Sequence, residues 1–401
     1  MASPLHYKGM VIAMSPGMQG VPMNTEQPEK NRARGLTALR GGVAPEFWSG
    51  RRVLLSGHTG FKGGWLACWL ASMGAEIYGF AQPPEHREDF FNATGLLARL
   101  GGKLRHRIGD IRDFSATVEA VQEADPEIIF HLAAQPLVRR SYRMPVETLA
   151  ANVMGTVHLL QAARGTGSVR AIVVITTDKV YENTHDQTAF TEDDRLGGHD
   201  PYSASKAMAE LAVSAWRRAF FAGGGPAVAT ARAGNVIGGG DWSEDRLIAD
   251  AMRAWSGGEE LIIRNPRAVR PWQHVCEPLR GYLMLAQALM QDGPRYAQAW
   301  NFGPSPQETC EVGEVITQLA ALMRAQGLAA RWRIDPPAHQ PHEAAYLALD
   351  CRKAAEELSW RPGLSLGGSL ALTAEWYAAQ ISGAGPQALF DLTLEQTGRA
   401  G

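Results

Sequence analysis

The apolar run Arg52–Ser56 (RVLLS) ends directly in Gly57-His58-Thr59-Gly60-Phe61-Lys62-Gly63. The next stretch, Lys62–Met73, puts Trp65, Leu66, Trp69 and Leu70 on one helical face. A strand, a glycine loop and a helix in immediate succession leave a chain few architectures. Glycines at GxxGxxG spacing allow a tight turn and let the backbone approach whatever lies over the start of the helix. Unpaired N–H groups and the positive end of the helix dipole favour an anion there. The alternation then continues. Glu76–Phe80 reads as a second strand and Lys103–Ile108 as a third, and Phe114–Glu123 is a helix stopped by Asp125-Pro126. Glu127–His131 (EIIFH) and Ala171–Thr176 (AIVVIT) are buried-type strands with a helix around Val146–Ala163 between them. A long helix spans Tyr202–Phe221, and Ala227–Ala233 is a further strand. This order predicts an α/β fold: a Rossmann-type doubly wound parallel sheet, covered on both faces, with right-handed crossovers.

After Gly238 the pattern becomes irregular, with Gly, Trp, Arg and Pro in loops and shorter helices. That region reads as a smaller C-terminal lobe, interleaved with the first because no Pro/Ser linker separates them. The expected division is a flexible leader (1–45), a dinucleotide-binding domain (46–235) to which later segments return, a substrate lobe (236–385) and a tail (386–401). The leader carries Met1, Met10, Met14, Met18 and Met23 among scattered prolines and glycines, without periodicity. Its apolar piece Met10–Met14 is too short for a signal-peptide core, and several of the methionines could serve as the start.

The 401 residues suit one large or two joined domains, since single cores stop growing near ~250–300 residues. A net charge of −2 gives no global attraction to nucleic acid or membrane. No apolar run approaches the ~20 residues of a membrane span. Cys68, Cys276, Cys310 and Cys351 form no CxxC or Cys/His cluster, so neither a metal site nor a secreted disulfide framework is expected. The reading is a cytoplasmic protein.

The glycine loop, in its strand–loop–helix setting, points to a dinucleotide, although an ordinary glycine-rich turn has the same look. Gly57, Thr59, Gly60, Phe61, Lys62 and Gly63 are the candidates for its pyrophosphate. No carboxylate ends the second strand, where one usually holds the adenosine ribose; Gln82 stands there instead, and the first acid is Glu85. No arginine follows immediately to favour a 2′-phosphate, so NAD is preferred to NADP. Asp110, just after the third strand, is placed for the adenine amino group, or else is a helix cap or turn aspartate. Tyr202 and Lys206 lie four apart at the start of a helix and therefore share a face. A nearby ammonium favours the phenolate, which tyrosine, with a pKa near ~10, needs if it is to act as a base. Taken alone, YxxxK also fits a plain surface helix.

Glycine loop and YxxxK together resemble the extended short-chain dehydrogenase/reductase family. The resemblance implies a Ser or Thr at the end of the preceding strand that bonds the reacting alcohol, and Thr177 matches better than Thr176. Longer runs are more specific: Ser56–Gly64 (SGHTGFKGG), Gly109–Asp113 (GDIRD), Pro126–Arg139 (PEIIFHLAAQPLVR), Asn152–Leu160 (NVMGTVHLL), Asp200–Lys206 (DPYSASK), Ala231–Arg246 (ARAGNVIGGGDWSEDR), Ile263–Val275 (IRNPRAVRPWQHV) and Trp300–Pro304 (WNFGP). Over roughly Phe47 to Tyr377 they resemble the CDP-glucose 4,6-dehydratase family. That resemblance implies Asp178 as general acid and Lys179 as base, where the dipeptide alone fits a turn with a local ion pair. It also implies Ile111, Leu132, Ala133 and Ala134 at the cofactor, with Gln135, Asn235, Arg246, Arg264, Arg270, Trp272 and His274 at a nucleotide-sugar diphosphate and base. Surface salt bridges for the arginines and core packing for Trp272 are the bland readings. His131 reads as a packed strand histidine.

The implied reaction is C4 oxidation, loss of water across C5–C6 and reduction at C6, with NAD regenerated, as in deoxysugar biosynthesis. Lys179 can act as a base only if desolvation or a neighbouring cation lowers its pKa. The rivals are an epimerase or dehydratase for another nucleotide sugar, and a non-catalytic dinucleotide-binding protein. A homo-oligomer, dimer or tetramer, is expected through the Val146–Ala163 and Tyr202–Phe221 helices. Neither nucleic acid nor membrane is expected as a partner.

Overall fold

Near the middle of a seven-stranded sheet lies β1 (Arg52–Ser56), in a computed structural model that describes residues 42–183, 188–335 and 346–400. The other strands are β2 (Glu76–Ala81), β3 (Leu104–Ile108), β4 (Ile128–His131), β5 (Ala171–Ile175), β6 (Ala227–Ala233) and β7 (Ala299–Phe302). Their spatial order is β7-β6-β5-β4-β1-β2-β3, and every pairing is parallel. All five residues of β5 are buried, as a sheet covered on both faces requires. The order reverses between β1 and β4, where Ser56 pairs with His131. In open α/β sheets the crevice beyond such a switch point is where ligands bind.

The helices that matter here are α1 (Phe61–Ser72), α2 (Phe114–Ala124), α3 (Gly155–Arg164), α4 (Pro201–Trp216), α5 (Leu247–Ser256), α6 (Cys276–Gln291), α7 (Val312–Ala325), α8 (Leu366–Ile381) and α9 (Pro386–Ala400). The helix expected over Val146–Ala163 is assembled from Pro145–Leu149, a π-type turn at Ala150–Met154, and α3. The long helix begins at Pro201 and ends in a second π-type turn, Arg217–Phe221.

Three features depart from the sequence reading. Helix α6 was expected as part of an irregular lobe. From Cys276 to Met290 every residue except Arg280 is buried, and the helix packs against β5 and β6. The segment expected as a tail is α9, which seats Leu389, Thr393 and Gln396 against α1 and α8. Most of the expected leader lies outside the described residues. Its last residues are held, because Ala44 N–H and the buried Trp48 Nε1 both donate to Gln287 Oε1, at 3.1 and 3.0 Å. Among the described residues no helix is long and apolar enough to cross a membrane.

Candidate active site

The glycine loop leaves β1 with Gly57 at φ +79°. A Cβ there would lie 2.7 Å from Ala133 N, and one on Gly63 would lie 2.1 Å from Gly57 O. These two positions let the loop, helix α1 and the chain after β4 close on one another. At Gly60 a Cβ would meet only Gly57 O, at 3.4 Å, so the backbone stays open at the head of α1. That cradle suits a pyrophosphate, and the residues present fit a dinucleotide. Leu132 and Ala133 are tied to β1, Leu132 N donating to Ser56 O (3.1 Å) and Ala133 N to Ser56 Oγ (3.2 Å). Ala134 follows directly. Phe61 lies against Gly238, and Ile111 packs under Gly155.

At the far end of the crevice Thr59 Oγ1 donates to Gln82 O (2.8 Å), and Gln82 Nε2 donates to Asp110 Oδ2 (2.7 Å). Asp110 caps no helix; Asp113 caps α2 instead. Arg112 binds Asp110 at both oxygens and holds its carboxyl below the usual range. Glu85 is paired with Arg140. Arg140 also donates from Nε to Glu244 Oε1 (2.8 Å), clasping the loop after β2 to the loop before α5. The sequence reading missed Arg140, whose partners are both distant in the chain.

Helix α4 starts where Asp200 accepts from Ser203 N (2.9 Å), with Pro201 in the first helical position. Tyr202 and Lys206 are both buried on its inner face. The expectation that Lys206 lowers the tyrosine pKa is not met. Lys206 Nζ donates to Ile175 O (3.0 Å), and burial pushes Lys206 itself down to about 8 against the opposing pull of Glu210. Burial raises Tyr202 to about 12, and the cation working against that rise is Arg246; a hydrogen bond with Thr177 also works against it. Lys62 points the same way. Burial, followed by the charges of Arg246 and Lys206, pushes it down to about 7.

The strand end beside α4 carries the second group. Thr177 Oγ1 accepts from Lys179 N (3.4 Å) and caps a 3₁₀ turn, Asp178–Val180. Asp178 is 2% exposed. Its Oδ1 accepts from Thr177 Oγ1 (2.9 Å), while its Oδ2 is buried with no hydrogen-bond partner among the described residues. A Cβ on Gly234 would come within 3.1 Å of that oxygen. Lys179 lines a cavity that continues past Asn235 to Arg139, Arg246, Arg264 and Arg270, with Trp272 in its wall. Asp245, at φ +57°, faces two of these arginines, at 3.2 Å from Arg264 and 3.7 Å from Arg139. Arg139, at the end of one of the matching runs, belongs to this cavity, and Asp241, Asp245 and Asp250 line it as well.

Two expected substrate residues do not reach the cavity. Gln135 turns inward: Nε2 donates to Thr148 Oγ1 (2.8 Å) and Leu137 O (3.1 Å), and Oε1 accepts from Leu137 N (2.6 Å). His274 is fully buried, edge-on to Trp65 with ring centroids 5.5 Å apart. His131 is held between Ser56 Oγ (2.7 Å) and Thr156 Oγ1 (3.1 Å).

Burial depresses His58, His131 and His274 from 6.5 to about 3. Each stays neutral in the fold but takes a proton below about pH 6.5 once unfolded. The unfolded chain therefore binds more protons between about pH 6.5 and 3, and stability falls as pH drops through that window. The slope is about 1.4 kcal/mol per pH unit for each histidine. Thermal melts should show the melting temperature falling steeply across this range; a flat profile would contradict the assignment.

Among the described residues no group of His, Cys, Asp and Glu could hold a metal ion. The GDP-mannose 4,6-dehydratase family model matches residues 54–371. CDP-glucose 4,6-dehydratase of Salmonella typhimurium is 45% identical over 346 residues, covering 85% of this chain and 94% of that protein. The dTDP-glucose 4,6-dehydratase DesIV of Streptomyces venezuelae, solved with NAD bound, superposes with a TM-score of 0.67 at 26% identity, over 81% of this chain and 96% of that one. UDP-glucose 4-epimerase of Thermotoga maritima shares the fold, with a TM-score of 0.69 at 22% identity over 82% of this chain and 99% of that one. Matched along most of its length by the family model and by a relative at 45% identity, the chain belongs to the GDP-mannose 4,6-dehydratase family, the nucleotide-sugar dehydratase group of the extended short-chain dehydrogenases/reductases.

Proposed function

We propose that this protein is an NAD-dependent CDP-glucose 4,6-dehydratase that makes CDP-4-keto-6-deoxyglucose. The observation that carries the reading is the pairing of two chemistries. Beside the redox residues Tyr202 and Lys206 stands a buried carboxyl, Asp178, with one unpartnered oxygen, next to a lysine on the cavity wall. An alcohol oxidoreductase or 4-epimerase has no step that uses such an acid–base pair. Loss of water uses both members. The curated relative at 45% identity is named for this activity.

Gly60, with the first N–H groups of α1, would hold the NAD pyrophosphate; Gln82 and Asp110 would face its adenosine end, and Lys206 its nicotinamide ribose. When bound, NAD supplies a reversible two-electron acceptor, so oxidation at C4 and reduction at C6 balance within one turnover. Tyr202 takes the C4 hydroxyl proton while Thr177 hydrogen-bonds the same oxygen. Lys179 removes the C5 proton, made acidic by the neighbouring ketone, and gives a proton back to C5 when C6 is reduced. Asp178 protonates the departing C6 hydroxyl. Arg246, Arg264 and Arg270 bind the diphosphate, and Asp245 holds Arg264 in place.

The test is a panel of CDP-, UDP-, dTDP- and GDP-glucose with product identification. CDP-glucose should give the 4-keto-6-deoxy product without net reduction of NAD. Turnover confined to another nucleotide, or stoichiometric use of cofactor, overturns the reading. A pairing of two subunits accounts for the apolar residues that α4 and the preceding helices leave exposed, among them Val146 (73%), Leu211 (59%), Met154 and Met208. Sedimentation with Leu211→Glu should show a dimer turned into a monomer.

A further inference from the structure

Behind the two reactive pairs lies a polar cluster with no surface exposure to speak of. Glu210 is one turn beyond Lys206 on α4, and Arg232 is on β6; both are buried. Arg232 binds Glu210 with two parallel bonds, Nε to Oε1 (3.0 Å) and Nη2 to Oε2 (2.9 Å). Thr176 Oγ1 donates to Glu210 Oε1 (2.6 Å) and Thr230 Oγ1 to Oε2 (2.7 Å). Arg232 Nη1 reaches the Tyr181 hydroxyl (2.8 Å), which in turn donates to Asn301 Oδ1 on β7 (2.7 Å). Arg232 also lies over the Tyr181 ring, which stacks on Phe190 at 4.8 Å and 5°.

A buried ion pair of this kind contributes little net stability, because desolvating two charges offsets their attraction. What this one does is connect. Lys206 holds the carbonyl of Ile175, and Glu210 holds the hydroxyl of the next residue, Thr176. Helix α4 thereby grips the end of β5 at two successive residues. Tyr181 ends the 3₁₀ turn that carries Asp178 and Lys179. Glu210 and Arg232 thus link the helix that carries the oxidation pair to the end of the turn that carries the dehydration pair.

We infer that Glu210, Arg232 and Tyr181 are positioning residues that set Asp178 and Lys179 in register with Tyr202 and Lys206, so that elimination follows oxidation on one bound sugar. The inference rests on the functional reading above. Tyr181→Phe is the decisive variant. It keeps the ring on Phe190 and leaves the Arg232–Glu210 fork intact; Arg232 Nη1 retains Glu192 O at 3.1 Å. The hydroxyl's two bonds, from Arg232 Nη1 and to Asn301 Oδ1, are cut together.

In single turnovers on CDP-glucose the variant should oxidise C4 within a few-fold of the wild-type rate. Product should form about 10- to 100-fold more slowly, the scale of a small misplacement of reacting groups. Reduced nicotinamide would then accumulate, visible in the near-ultraviolet. Hydrogen exchange should quicken in the segment 178–182 and stay unchanged along α4. Equal slowing of both steps, or an unchanged product rate with unchanged exchange, overturns the inference. If the wild-type protein oxidises no nucleotide sugar at all, the functional reading fails instead. Hydrogen exchange then decides alone whether Tyr181 anchors the turn.

Discussion

Asp178→Asn is expected to leave the enzyme able to oxidise CDP-glucose at C4 while cutting formation of the 4-keto-6-deoxy product by about 10²- to 10⁴-fold, the range for loss of a general acid. The amide is nearly isosteric with the acid, so it can still occupy the space beside Gly234 and meet Thr177. It has no proton of suitable acidity to give the departing C6 oxygen. Because Asp178 is buried, bulk water has no ready route to substitute for it. A stopped-flow trace should show reduced nicotinamide rising and persisting, with the C6 hydroxyl retained in the sugar recovered after quenching. Failure to oxidise C4 would mean that Asp178 serves the first step, and the proposed division of labour would be wrong.

Tyr202→Phe should stop the reaction one step earlier. Removing the phenol takes away the group that accepts the C4 hydroxyl proton, at an expected cost of about 10³- to 10⁴-fold. No reduced nicotinamide should appear and no product should form. The phenol is raised to about 12 by burial, with Arg246 pulling it down. Arg246→Gln in an otherwise normal enzyme should therefore move the rise of activity to higher pH, as well as weaken CDP-glucose binding. A pH profile that stays in place would leave Arg246 as a binding group only.

The parts of the site legible in the sequence are those in which short spacing does the work. The loop from Gly57 to Gly63 and the pair Tyr202 and Lys206 each depend on local geometry, strand to helix or one helical turn. What escaped is what the tertiary fold decides. Lys206 and Tyr202 share a face as their spacing requires, yet the lysine is drawn to a carbonyl of β5, a partner invisible in YxxxK. Gln135 and His274 sit in runs that resemble substrate-binding segments, but the chain turns one toward Thr148 and buries the other against Trp65. Asp245, Arg140, Glu210 and Arg232 carry no local signature, because each acts on partners far away in the chain.

The last strand of the sheet, β7, has a consequence for how the chain comes to be folded. Residues 299–302 pair with β6, and α6 covers β5 and β6, although both are encoded after much of the substrate lobe. As the chain leaves the ribosome, β1 to β6 emerge with a bare edge and an uncovered apolar face. Such a surface is a template for association with other chains. Truncation before residue 276, which removes both α6 and β7, should therefore yield aggregate rather than a free dinucleotide-binding half. Chaperone demand should last until the C-terminal segments arrive to close the sheet.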